Sequence, residues 1–202
     1  MKPVYRLART IIYPIFKWLL PVKFVGFEGM EKSGGYILCA NHTSMSDPCF
    51  ISVKMKRQIY YMAKIEIFKI PIVKSVAKAA GAFAVDRGNG DMAAIEQAEG
   101  IIKRGHILGI FPEGTRHKTG APRKAKSGIA YIALRAKADI LPVSIYRDGK
   151  FNIFKKTTVR CGKIIPYSEV VDENVSDRSN LKSIANRVTD EITKLWEMGH
   201  ED

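Results

Sequence analysis

Beyond residue 22 the chain alternates short runs rich in β-branched and aromatic residues with longer stretches whose apolar positions recur every three or four residues. The short runs predict strands: KFVGF at 23–27, YILCA at 36–40, QIYYMA at 58–63, GAFAV at 81–85, HILGIF at 106–111, ILPVSIY at 140–146 and TTVRCGKII at 157–165. The longer stretches predict helices over 48–57, 66–80, 91–104, 126–138 and 179–198, with Asp91 as an N-cap and Gly81 and Gly105 as stops. In the last of these, Leu181, Ile184, Ala185, Val188, Ile192, Leu195 and Trp196 fall on one face and Gly199 ends the pattern, as for an amphipathic helix packed on a core. Strands alternating with helices predict an α/β fold, a mixed central β-sheet flanked by helices. No linker divides residues 23–202, so they are taken as one domain.

The first 22 residues break this rhythm. Ile11 to Val22 reads IIYPIFKWLLPV, an apolar run of 12 residues interrupted by Pro14 and Lys17, with Lys2, Arg6 and Arg9 ahead of it. Spanning a bilayer takes about 20 apolar residues, so this run is too short. A secretory signal is also a poor fit, because Lys17 splits the apolar core and no small-x-small site follows before Lys23. Trp18, Tyr13 and Phe16 suit the headgroup region, and the basic residues suit anionic lipid. Residues 1–22 are therefore expected to be a membrane-interface segment, with a helix packed on its own core as the alternative.

Charge changes the picture more than composition does. The 202 residues are ordinary in hydrophobic content, at 46%, but Lys+Arg 33 against Asp+Glu 20 gives a net charge of +13. Residues 1–80 carry 13 Lys/Arg and 4 Asp/Glu, so the excess lies towards the start. Such a surface expects an anionic partner: nucleic acid, membrane, or a phosphorylated substrate. Cys39, Cys49 and Cys161 are too few and too irregular for a disulfide framework or a zinc site; each is expected to be a small buried side chain in a reducing compartment.

Three places could carry chemistry. YILCA runs into Asn41-His42-Thr43-Ser44-Met45-Ser46-Asp47-Pro48, which puts a histidine at the carboxyl end of a strand, where open α/β sheets hold ligands. On a continuous helix His42 and Asp47 would stand about 140° apart, so they meet only across a turn. If they do, the carboxylate fixes the imidazole tautomer and leaves the other nitrogen to take a proton from a hydroxyl. Asp47 before Pro48 also reads simply as a helix N-cap followed by N1. HILGIF delivers Phe111-Pro112-Glu113-Gly114-Thr115-Arg116, and Arg123, Lys124, Lys126 and Ser127 follow at the start of a helix, together an anion site or a solvated polar turn. GAFAV delivers Asp86 and Arg87. The Gly88-x-Gly90-x-x-Ala93 that follows imitates a dinucleotide fingerprint but is crowded by Asp86, Arg87 and Asp91. Gly109-x4-Gly114 lacks the P-loop lysine, and no G-x-S-x-G elbow occurs. His106, His117 and His200 show no metal-ligand spacing with His42, so no metal is expected.

In chain order, Asn41-His42-x4-Asp47, Gly81-x-Phe83-x-Val85-Asp86-Arg87, Phe111-Pro112-Glu113-Gly114-Thr115-Arg116 and Ile140-Leu141-Pro142-Val143 resemble the four motif blocks of the glycerolipid acyltransferases. They are most similar to those of the bacterial 1-acyl-sn-glycerol-3-phosphate (lysophosphatidic acid) acyltransferases. The resemblance runs from about Phe24 to Tyr146, and its first and third blocks are the specific ones. His117 departs from it, since the family often has Ser there. The resemblance implies a membrane-associated enzyme on the cytoplasmic face of the inner membrane, moving a fatty acyl group from acyl-CoA or acyl carrier protein to the sn-2 hydroxyl of lysophosphatidic acid, with no cofactor. It implies His42 as general base, Asp47 as its orienting partner, Arg87 and Arg116 on the lysolipid phosphate, and Lys126 as a further phosphate contact. Glu113 and Gly114 would shape the acceptor site, Pro142 would belong to the donor side, and Asn41 and Thr115 are further substrate-binding candidates. Backbone N–H groups at the start of the helix after His42 are the candidate oxyanion donors. The alternatives are acylation of another lysolipid, lipid binding without catalysis, or a basic nucleotide- or nucleic-acid-binding α/β protein. Against the last, the chain has no basic stripe with interleaved aromatics, so no nucleic-acid partner is expected.

Overall fold

The computed structural model describes residues 6, 10, 14, 20–28, 32–69, 71–79, 81–85, 92–117, 120–149 and 155–201. All but a few positions of the predicted interface segment, with Asp91, therefore lie outside the described residues. No described helix is long and apolar enough to cross a membrane.

Seven strands form one sheet: β1 Val22–Val25, β2 Tyr36–Ala40, β3 Ile59–Lys64, β4 Phe83–Val85, β5 Ile107–Ile110, β6 Ile140–Arg147 and β7 Thr157–Cys161. Each falls within or overlaps a run predicted above. The spatial order is β1-β7-β6-β2-β5-β3-β4, and every neighbouring pair is parallel except β6 with β7. That single antiparallel pairing reverses β7 and β1 against the rest. The carboxyl ends of β2, β5, β3 and β6 thus share one edge with the starts of β7 and β1, in the register Arg147↔Thr157 and Thr157↔Val22. Val22, the last residue of the predicted interface segment, lies in the sheet and pairs with Thr157 at this edge.

The flanking helices are α1 Asp47–Lys54, α2 Pro71–Ala79, α3 Met92–Lys103, α4 Ser127–Ala136, the short α5 Tyr167–Val170 and α6 Asp177–Glu197. The helix predicted over 66–80 is instead a 3-10 turn, Ile65–Lys69, followed by α2. Pro71 explains the break, because it supplies no N–H to the preceding turn. The helix predicted over 179–198 begins two residues earlier, where the Ser176 hydroxyl accepts from the Ser179 N–H as an N-cap.

Alternating residues of the central strands feed two cores. Ile37 and Cys39 of β2 pack under α3, α4 and α6, while Tyr36, Leu38 and Ala40 pack against Phe50, Ile51 and Val53 from α1. A strand covered on both faces has no polar side, which is why YILCA is apolar throughout. Of the three cysteines only Cys39 and Cys161 are buried. Cys49 is exposed, contrary to expectation, because α1 turns Phe50, Ile51 and Val53 inward and leaves position 49 outside.

Candidate active site

β2 ends at Ala40 and α1 begins at Asp47, and the six residues between them form a tight loop rather than a continued helix. The loop brings His42 Nδ1 to 2.9 Å from Asp47 Oδ2. The same oxygen accepts the backbone N–H of Thr43 at 2.6 Å and of Ser44 at 2.7 Å. Asp47 therefore folds back on the loop that precedes it. It is the first residue of α1, and the N-cap is Ser46, so the plain capping reading does not hold. Burial pushes the Asp47 carboxyl up, but the His42 hydrogen bond, the Arg147 charge and the two backbone donors outweigh this and hold it below the ordinary aspartate value. With Asp47 ionised, Nδ1 carries the ring proton and Nε2 presents a lone pair. No described residue hydrogen-bonds Nε2, and the His42 side chain keeps 16% of its surface open.

Arg147, the last residue of β6, was not foreseen. Its Nη1 donates to Asp47 Oδ1 at 2.9 Å and also to the Thr43 hydroxyl, and its Nε donates to Thr157 Oγ1 at 3.1 Å. The guanidinium also stands 4.8 Å from the Phe50 ring centroid, and the residue is 2% exposed. Each Asp47 oxygen thus has its own cationic or donor partner, as a buried carboxylate requires. The sequence did contain a signal, a strand delivering an arginine at its carboxyl end, which is the reasoning applied to Arg87.

Asn41 braces the loop from the other side. Its Oδ1 accepts from Ile145 N at 2.7 Å, and its Nδ2 donates to Ile145 O at 2.9 Å and Gly120 O at 3.1 Å. This buried amide is engaged with backbone on both its oxygen and its nitrogen, and so positions the loop. Phe111 fixes the imidazole plane by stacking on it at 4.0 Å, and Tyr61 stacks in turn on Phe111 at 5.9 Å. A side chain at Gly109 would come within 2.4 Å of the Tyr61 ring, which explains a glycine in the middle of β5.

The second loop, 111–117, follows β5, the strand beside β2. Gly114 has φ +77°, and a Cβ there would meet the Lys126 Nζ at 3.0 Å, so glycine serves both the turn and the passage of that lysine. Glu113 is 5% exposed, and burial pushes its carboxyl up to about 7. The backbone N–H groups of Arg123 and His42 and the Arg123 charge face it and pull the other way, without closing a well-formed hydrogen bond. His117 Nε2 stands 3.5 Å from it and 3.2 Å from the Thr115 hydroxyl, while the His117 N–H donates to His42 O at 2.9 Å. Burial, then the nearby Arg123 charge and the His42 ring, hold the His117 imidazole below its ordinary value, so near pH 7 a largely neutral imidazole faces a Glu113 carboxyl that is about half protonated. His117 thereby ties the second loop to the first. Thr115, Arg116, Arg123 and Lys126 are exposed, and Arg116 has no ion pair or hydrogen bond among the described residues. Beside Phe111, Gly114 and Lys126 opens an apolar cavity of about 160 Å³ floored by Ile129 and Ile132.

The fold thus brings His42, Asp47, Glu113, Gly114, Thr115, Arg116 and Lys126 to one edge of the sheet. Pro142 is not among them: it is buried within β6 with its ring towards Gly162 and α6, and it does not line the cavity. Arg87 lies outside the described residues. The start of α1 offers no open oxyanion donors. Asp47 N bonds Ser44 O, Cys49 N and Phe50 N bond Ser46 O, Pro48 has no N–H, and Thr43 N and Ser44 N are held by Asp47.

Comparison with known proteins places this geometry. The Acyltransferase family profile matches residues 21–146, which include both loops and β6 up to Tyr146. A 1-acyl-sn-glycerol-3-phosphate acyltransferase of Borreliella burgdorferi is 30% identical over 89% of this chain and 74% of its own length, and one of Bacillus subtilis is 31% identical over 76% and 77%. The crystal structure of the 1-acyl-sn-glycerophosphate acyltransferase PlsC from Thermotoga maritima superposes with a TM-score of 0.68 over 95% of this chain and 80% of that one, at 22% identity, and so shares the fold. This chain belongs to the acyltransferase family and is similar within it to the 1-acyl-sn-glycerol-3-phosphate acyltransferases.

Proposed function

We propose that the protein transfers a fatty acyl group from acyl-CoA or acyl carrier protein to the sn-2 hydroxyl of lysophosphatidic acid at a membrane surface, giving phosphatidic acid. The observation that carries this reading is the His42–Asp47 contact at 2.9 Å through Nδ1, with Nε2 hydrogen-bonded to no described residue. Nε2 takes the acceptor's hydroxyl proton as its oxygen attacks the thioester carbonyl. The tetrahedral adduct then expels the thiolate, which leaves as a thiol after recovering the proton from the imidazolium. The acyl group is already activated as a thioester, so no acyl-enzyme is needed.

The magnitudes fit this division of labour. A positioned base contributes roughly 10²–10⁴ in rate, whereas alignment of two bound substrates supplies about 7–11 kcal/mol. Arg116 and Lys126 are exposed beside Gly114 and suit the acceptor's phosphate, and Arg87, two positions after β4 in the sequence, is a further phosphate candidate. The apolar cavity floored by Ile129 and Ile132 suits a hydrocarbon chain. β1 starts at the edge that carries His42, and the sequence ahead of it is apolar and basic, which supports the membrane setting.

The test is free-thiol release from long-chain acyl-CoA and from acyl carrier protein thioester, with and without lysophosphatidic acid and with other lyso-acceptors. Thiol release that requires lysophosphatidic acid and falls at least 10-fold with acceptors lacking the phosphate monoester supports the assignment. Equal rates with a zwitterionic lyso-acceptor would overturn the choice of acceptor, and no release with any acceptor would overturn the enzyme.

A further inference from the structure

The segment 124–127 contributes to two separate hollows. Lys126 lies over Gly114 and lines the apolar cavity already described, whereas Lys124 and Ser127 line a second cleft, of about 270 Å³, against α6. From α6 come Arg178 and Lys182, with Asn186 as a further polar group and Leu181 as an apolar wall. The Ala125 N–H donates to Thr189 Oγ1 at 3.0 Å, which pins the segment to α6 and sets the cleft's width. None of His42, Asp47, Gly114 or Arg116 lines it.

Three cations line this one hollow and are left without a neutralising neighbour among the described residues. Further along α6, Arg187 and Lys194 both pair with Glu191, at 3.5 and 2.9 Å, and across the sheet's helices Lys103 and Arg135 share Glu99 at 2.6 and 2.9 Å. Lys124, Arg178 and Lys182 are exposed, and none has a carboxylate within ion-pair range among the described residues. Arg178 and Lys182 stand one turn apart on the same helix face, an arrangement that is destabilising by itself. The N-cap of α4, Lys126, makes no side-chain capping bond, so the positive end of that helix, where Ser127 stands, is uncapped as well. An anion seated here would offset all three. A guanidinium fork, two ammonium groups, a hydroxyl and an amide match the several oxygens of a phosphate better than a single carboxylate.

We propose that this cleft is a second anion site, distinct from the His42 edge, that binds a phosphate monoester or diphosphate group. The proposal does not depend on the acyl-transfer reading, since it concerns binding only. Such a phosphate could belong to a soluble nucleotide ester, such as the phosphorylated end of a coenzyme thioester, or to a lipid headgroup, and the test separates the two.

The full-length protein is titrated with inorganic pyrophosphate, with adenosine 3′,5′-bisphosphate and with phosphatidylcholine vesicles doped with phosphatidic acid. Three proteins are compared: wild type, Lys124→Gln/Arg178→Gln/Lys182→Gln, and Lys103→Gln/Arg187→Gln/Lys194→Gln, which removes the same charge elsewhere. The expected result is a loss of at least about 10-fold in affinity for one or more probes in the cleft variant, with the matched variant within about 3-fold of wild type. A loss confined to the soluble probes identifies a soluble phosphate ester, and a loss confined to vesicles identifies a headgroup. Equal losses in the two variants, no loss in either, or no binding by wild type would overturn the site. Should the triple variant fail to fold, the single exposed reversal Lys182→Glu is read in the same way.

Discussion

Asp47 and Arg116 sit in adjacent loops at the same edge of the sheet, yet their surroundings are opposite. Asp47 is fully buried, with His42, Thr43, Ser44 and Arg147 all donating to its carboxylate, while Arg116 reaches solvent with no ion partner among the described residues. The proton-handling half of the site is completed by folding itself. The phosphate-facing half is left open for the substrate to complete. Groups of the first kind must therefore be worth stability as well as rate, and groups of the second kind should matter only when ligand is present.

Arg147→Met tests the first half most severely, because it leaves the buried Asp47 carboxylate short of its cation. We expect unfolding free energy to fall by about 3–5 kcal/mol in urea titrations, and Arg147→Lys to recover part of it. A Met variant as stable as wild type would mean that the guanidinium does not balance Asp47.

Glu113 stands between the two halves, and its effect is smaller and depends on pH. Its carboxyl ionises near 4.5 in an unfolded chain but only at about 7 in the fold. Below pH 4.5 it is protonated in both states and costs nothing. As pH rises from 4.5 to about 7 the folded state retains the extra proton, so stability declines across that window by on the order of 2 kcal/mol. Glu113→Gln should thus melt at higher temperature than wild type at pH 8 and at the same temperature near pH 4. A constant difference at both pH values would remove the burial argument.

Arg116→Gln should be the mildest in the absence of ligand, changing stability by less than about 0.5 kcal/mol as exposed, unpaired positions do. With lysophosphatidic acid as acceptor its KM should rise while kcat changes little, the signature of lost ground-state binding. A large loss of stability with unchanged KM would reverse the contrast drawn above.

Most of the sheet was legible because strands buried on both faces, such as β2 and β5, are written as apolar runs, and the others as short runs rich in β-branched and aromatic residues. The His42–Asp47 contact was legible as a possibility, since Thr43, Ser44 and Ser46 favour a turn, although the sequence left the capping reading equally open. Arg147 was hidden by distance along the chain: it meets Asp47 across 100 residues, and only the strand order puts the end of β6 beside the end of β2. The break at Pro71 is hidden in a reading by apolar period, which runs through 66–80 without interruption. The roles of Asn41 and Pro142 follow from which way each side chain faces, and a motif match carries no such information. The cleft at Lys124 required α4 and α6 to be packed together, and α6 lies beyond the residues that the family profile covers.

The central claim is that the His42 imidazole, oriented by Asp47, removes the acceptor's proton. It is tested most directly by single-turnover thiol release from acyl-CoA by His42→Ala in the presence of lysophosphatidic acid, with folding verified by circular dichroism. The account predicts a rate lower by at least about 10²-fold in a protein that still folds. A folded His42→Ala protein that releases thiol within a few-fold of the wild-type rate would contradict it.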